Sequence, residues 1–172
     1  MNACVVEKFL HHPLLMRPES GTGPDGHWRC HATVPGLSEY SLVIEPYRAM
    51  TMERHKSDGF TQNEYREFVE FSMHKVYRWL LLRRIQIHNP QCYIIDTEQR
   101  RMFSVDLVGE WNGRLVLISV YYSRRGRRET WERMSEYMRE VARVCRTQYA
   151  IDADVVLINA FANHGVRGAR IL

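Results

Sequence analysis

Residues 102–128 read MFSVDLVGEWNGRLVLISVYYSRRGRR, and no other stretch constrains the fold as tightly. Two apolar runs flank Asn112-Gly113. That dipeptide suits a type I′ turn, because both central residues of such a turn need φ > 0. The spacing predicts antiparallel strands over 102–108 and 114–122, the first carrying one acid, Asp106. Four arginines follow at once: Arg124, Arg125, Arg127 and Arg128.

The next pattern has helical period. Over 128–148, Trp131, Met134, Met138, Val141, Ala142 and Cys145 form one stripe. Acids and arginines lie opposite, with Glu129–Arg133, Glu136–Arg139 and Glu140–Arg143 at helical pair spacing. Residues 154–161, DVVLINAF, then form a strand without polar alternation, which belongs inside a sheet covered on both faces. A strand reached through a helix pairs in parallel with the strand before it, by a right-handed crossover.

Upstream, Thr61 and Glu64 have capping-box spacing and open a helix over 61–84. Tyr65, Phe68, Val69, Ser72, Val76, Trp79 and Leu80 share its inner face. Phe71, Leu81 and Leu82 widen the stripe, which predicts packing on more than one side. Asn89-Pro90 ends the connection, 92–96 is a short strand and 97–100 a turn. The expected class is α/β (α+β): a mixed sheet with an α-β-β-β-α-β core of four strands flanked by helices. Residues 61–172 form that core. Residues 1–60 form an N-terminal β-containing extension packed on it. The extension has a short helix near 5–16, a Gly/Pro-rich loop at 17–27, and strands over 27–34 and 40–47.

Charge is focused. Lys and Arg together number 24 against 20 acids. The charges of 129–146 cancel, and setting aside Arg124, Arg125, Arg127 and Arg128 leaves the rest of the chain neutral. A cluster of guanidinium groups favours a polyanion, since each can fork onto phosphate oxygens. Tyr121 beside the cluster could stack on a base. A solvated basic loop is the plainer alternative.

Other features carry less. No apolar run approaches the length of a membrane span, and the start lacks signal-peptide architecture. An intracellular protein, cytoplasmic or nuclear, with no membrane partner is expected. Cys4, Cys30, Cys92 and Cys145 lack zinc-ligand spacing and read as reduced thiols. His11-His12 has no partner spacing for a metal. GTGPDG at 21–26 lacks the Lys-Ser/Thr of a phosphate loop.

The element order, with an acid on the middle strand of the meander, resembles the PD-(D/E)xK (restriction-endonuclease-like) superfamily over about residues 61–161. The resemblance implies an acid on the second strand and Glu-x-Lys on the third, together holding Mg²⁺ or Mn²⁺ and activating water. Asp106 stands at the acid. Ser119-Val120-Tyr121 stands at Glu-x-Lys, with Ser119 and Tyr121 on one strand face. A hydroxyl is a poor ligand for a hard cation, and a phenol is uncharged at neutral pH. The resemblance thus points to a degenerate site: a nuclease-like domain that binds DNA or RNA or serves a nucleic-acid-processing complex, with no cofactor.

An active Mg²⁺- or Mn²⁺-dependent endonuclease is the alternative, with metal held by Asp106, Glu67 and His74. Glu64, Glu70 and Glu110 are further acids to consider. His74 followed by Asp106 also resembles the viral cap-snatching endonuclease branch. A third alternative is a protein-binding domain without nucleic-acid affinity. Asp106 could instead simply hydrogen-bond at a strand end.

Overall fold

The computed structural model describes Val6, Phe9 and residues 28–32, 40–44, 61–88, 92–123, 128–161 and 165–172. Strands β1 (Trp28–Ala32) and β2 (Tyr40–Ile44) fall within the two spans where strands were expected, and they pair antiparallel as a separate ribbon. Val6 and Phe9 are helical and fully buried. The loop expected at 17–27, and the rest of the extension, lie outside the described residues.

Helix α1 (Gln62–Leu82) begins where its capping box predicts. Thr61 accepts from the Glu64 N–H at 3.3 Å, and the Glu64 carboxylate accepts from the Thr61 N–H at 2.7 Å. These bonds satisfy amides that a helix start otherwise leaves orphaned. Strands β3 (Gln86–Ile87), β4 (Cys92–Asp96), β5 (Arg101–Val105), β6 (Leu107–Trp111) and β7 (Arg114–Ser123) follow. Asn112 and Gly113 take φ of 52° and 75°, so the hairpin turn is the one their sequence demands. Helix α2 (Arg128–Tyr149) then crosses to β8 (Asp154–Phe161), and β9 (Gly165–Ile171) completes the described chain.

The main sheet is mixed, with order β3-β6-β7-β8-β9. Strands β7 and β8 are parallel, as the crossover predicts, and every other pairing is antiparallel. Alternate residues of β7 feed two cores. Val116, Ile118 and Val120 pack with Val76, Tyr77 and Leu80 of α1. Leu115 and Leu117 pack with Met138, Val141 and Cys145 of α2. The continuous apolar run of β8 is thereby buried on both sides, Val156 and Ile158 toward α1 and Val155 and Leu157 toward α2.

Four expectations are corrected. The strand expected over 102–108 is two strands in two sheets, broken at Asp106. β5 leaves the main sheet to pair with β4, because Phe103, Val105 and Ile94 bury themselves in the α2-side core. The main sheet therefore has five strands rather than four, and β4 is not among them. Its two edges, β3 and β9, were not anticipated: β3 is two residues long, and β9 carries two glycines and two arginines. Two of the residues expected to widen the packing stripe of α1 do not do so, since Phe71 is 62% exposed and Leu82 71%, although α1 lies against β1 as well as the main sheet. The polar face of α2 does more than form pairs along the helix. Glu140–Arg143 forms as its spacing predicts, but Arg143 also reaches Asp96 on β4, and Arg139 donates to the Leu172 carbonyl.

Candidate nucleic-acid interface

Strands β7 and β8 end together, and α2 rises beside those ends. In open α/β sheets the space beyond the carboxyl ends of parallel strands is where ligands bind, because helix N-termini and connecting loops converge there. The register places Tyr121 of β7 opposite Asn159 of β8, and Asn159 opposite Arg167 of β9. Residues directly paired across a sheet point to the same side. Tyr121, Asn159 and Arg167 therefore form a row on the α2 side, under that helix's first turns.

An open cleft of about 330 Å³ lies over this row. Its floor is polar and ordered. Asn159 is 1% exposed, and its amide donates to the Tyr121 hydroxyl at 2.7 Å. An Asn inside an otherwise apolar strand needs such a partner, since an unbonded buried amide is costly. Because the phenol oxygen accepts that bond, its own proton remains for another acceptor. Burial pushes the Tyr121 phenol above its ordinary range, against the opposing effects of the Arg167 charge and the Asn159 bond. The side chain stays neutral throughout the physiological range.

The wall of the cleft comes from α2. The Trp131 ring sits 6.4 Å from that of Tyr121, tilted by 48°. The Arg167 guanidinium lies over Trp131 at 4.7 Å from the ring centre, a cation–π contact. Among the described residues Arg167 has no carboxylate partner. Arg128 donates to Glu132 at 2.7 Å one turn along and remains 90% exposed. Phe161 closes the end of β8.

Two residues expected at a nucleic-acid surface, Tyr121 and Arg128, thus meet in one cleft. Arg124, Arg125 and Arg127 lie outside the described residues. Ser119 is only 4% exposed. Asp106 is elsewhere: its carboxylate accepts from the Val120 N–H at 2.6 Å, and its own N–H donates to the Ile118 carbonyl at 3.1 Å. It supplies the acceptor that β7 would lack where β5 turns away.

Glu67 and His74 are exposed on α1, which covers the opposite sheet face from Tyr121. Among the described residues no three His, Cys, Asp or Glu side chains gather in a metal-sized group, so Asp106, Glu67 and His74 do not form one. Glu64 is spent on the α1 cap, and Glu110 lies opposite Leu115 near the hairpin turn. The side chain of Glu70 lies outside the described residues. The donor set at the motif positions does not fit a divalent cation. Asp106 is engaged with a backbone amide, Ser119 is a buried hydroxyl, and Tyr121 is a neutral phenol bonded to Asn159.

Arg167, Asn159 and Glu132 were not anticipated. The buried Asn was visible as the polar interruption of DVVLINAF. Arg167 gave no signal, because only the register of β9 carries it to the cleft. No family model, curated protein or solved structure matches the chain.

Proposed function

We propose that this chain is a nucleic-acid-binding domain on a degenerate nuclease-like scaffold, acting as an accessory or assembly component of a nucleic-acid-processing complex inside the cell. One observation carries the reading: the Tyr121–Asn159–Arg167 row lies under Arg128, the residue at which α2 begins. Guanidinium groups, a helix N-terminus and aromatic rings at the carboxyl ends of two central strands suit a ligand that is anionic along its backbone and flat in its bases. The reading favours binding over hydrolysis because the positions of Glu-x-Lys hold groups that neither ligate a hard cation nor activate water. No described helix is long and apolar enough to cross a membrane.

Anisotropy titrations of labelled DNA and RNA over a range of salt concentrations test it. Replacing Arg124, Arg125, Arg127 and Arg128 by Ala is expected to weaken binding. It should also flatten the log–log salt slope by about 0.7–0.9 for each phosphate that is no longer neutralised. Unchanged affinity would leave a protein-binding domain as the better account. Mn²⁺-dependent cleavage that disappears in Asp106→Ala would reinstate an active endonuclease.

A further inference from the structure

We infer that the cleft at the ends of β7 and β8 receives one unpaired nucleotide, so that the domain selects single-stranded nucleic acid over duplex. This deepens the proposed function and rests on it. Size is the first ground. A cleft of about 330 Å³ falls at the small end of ligand sites, which run from about 300 to 1,000 Å³. That suits one nucleotide rather than the flank of a double helix.

The lining is the second ground. A plain phosphate site would not place a carboxylate on its wall, yet Glu132 stands there. The Tyr121 phenol, which accepts from Asn159, keeps its proton to donate, and the Glu132 carboxylate, which accepts from Arg128, keeps further lone pairs. Together they offer a donor and acceptors to the edge of a base. Trp131 and Phe161 present apolar ring surface at the same place. In a duplex the Watson–Crick edges are paired and the base faces are stacked, so rings and polar groups arranged for an unpaired base find neither. An extruded or single-stranded base satisfies them.

Charge is the third ground, and it sets polarity. Arg167 lies over one side of Trp131 and Arg128 stands at the helix start, so cations flank the rings from two elements. A base seated between them leaves its phosphates on the rim, beside Arg128. The buried Asn159–Tyr121 bond fixes the floor before any ligand arrives, which limits the ordering cost of binding.

The test uses the full chain with a labelled 12-nucleotide single strand, the matching duplex, and unlabelled cytidine monophosphate and pyrophosphate as competitors. The expected result is at least tenfold tighter binding of the single strand. Trp131→Leu should lower that affinity about tenfold while leaving duplex affinity unchanged. Tyr121→Phe keeps the ring and removes the hydroxyl, and should weaken the single strand by a smaller factor. It serves as the check should Trp131→Leu melt early by circular dichroism.

Equal binding of both forms, insensitive to Trp131 and Tyr121 but abolished with the loop arginines, overturns the pocket while the nucleic-acid reading stands. Competition by pyrophosphate as strong as by cytidine monophosphate also overturns it, marking a bare phosphate site. Failure of every nucleic acid to bind removes both.

Discussion

Asp106 shows how one residue can suggest chemistry and yet serve the fold. Its carboxylate closes the hydrogen bond of the Val120 amide at the point where the chain leaves one sheet for another. Removing the acceptor leaves a buried N–H unsatisfied, at a cost of about 1–3 kcal/mol. Asp106→Ala is therefore expected to lose roughly that much stability in urea unfolding. Asp106→Asn, which keeps a carbonyl oxygen, should lose clearly less. Equal losses in both would mean that the charge, not the bond, matters there. Cys145 illustrates the opposite case of a reactive group made inert: burial raises its thiol to about 12, so it packs as a small apolar side chain under α2.

At the scale of elements, the contact between α1 and the edge strand β9 depends on a missing side chain. Trp79 packs against the backbone of Gly168, and a β-carbon there would come within 2.5 Å of the indole ring. That is far inside van der Waals contact, and the ring is rigid. Gly168→Ala should destabilise the protein by about 1–3 kcal/mol, the range for an overpacked site. Trp79→Leu in the same chain should recover part of the loss, because it removes the obstructing ring. A double-mutant cycle in chemical denaturation reads the coupling directly. The same strand carries Arg167, so loosening β9 would also disturb the cleft.

Across the whole molecule, the β4–β5 ribbon is clasped to α2 by one buried carboxylate. Asp96 accepts from the Glu98 and Gln99 amides at 3.2 Å each, and from Arg101 and Arg143, while both arginines also pair with Glu140. Burial pushes the Asp96 carboxyl up, but the Gln99 amide bond and the two guanidinium groups outweigh it, and its pKa lies below the ordinary value of 3.8. A carboxylate whose pKa falls on folding adds stability that is full above its unfolded value. That stability drains away as pH drops through the folded one. The clasp should therefore hold above about pH 4 and weaken below it. Thermal melts from pH 7 to pH 2 should show a steep acid limb that flattens in Asp96→Asn, alongside a lower melting temperature at neutral pH. An unchanged acid limb would assign acid sensitivity to other carboxylates.

The sequence by itself determined what local period and turn chemistry can encode. The Thr61–Glu64 cap, the Asn112-Gly113 turn, the α2 stripe, the doubly buried β8 and its parallel union with β7 all follow from residues close together in the chain. The tertiary structure decided what depends on register and on competing burial. Asp106 breaks a strand because Phe103 and Val105 find a core that Leu107 does not share. The glycine-punctuated GVRGARI segment, with no periodicity of its own, becomes a strand only because β8 offers an edge to pair with. The cleft exists because pairing aligns Tyr121, Asn159 and Arg167, residues 38 and 8 positions apart along the chain. Burial leaves a trace in each element's own pattern, whereas the register between strands is settled by packing among all of them at once.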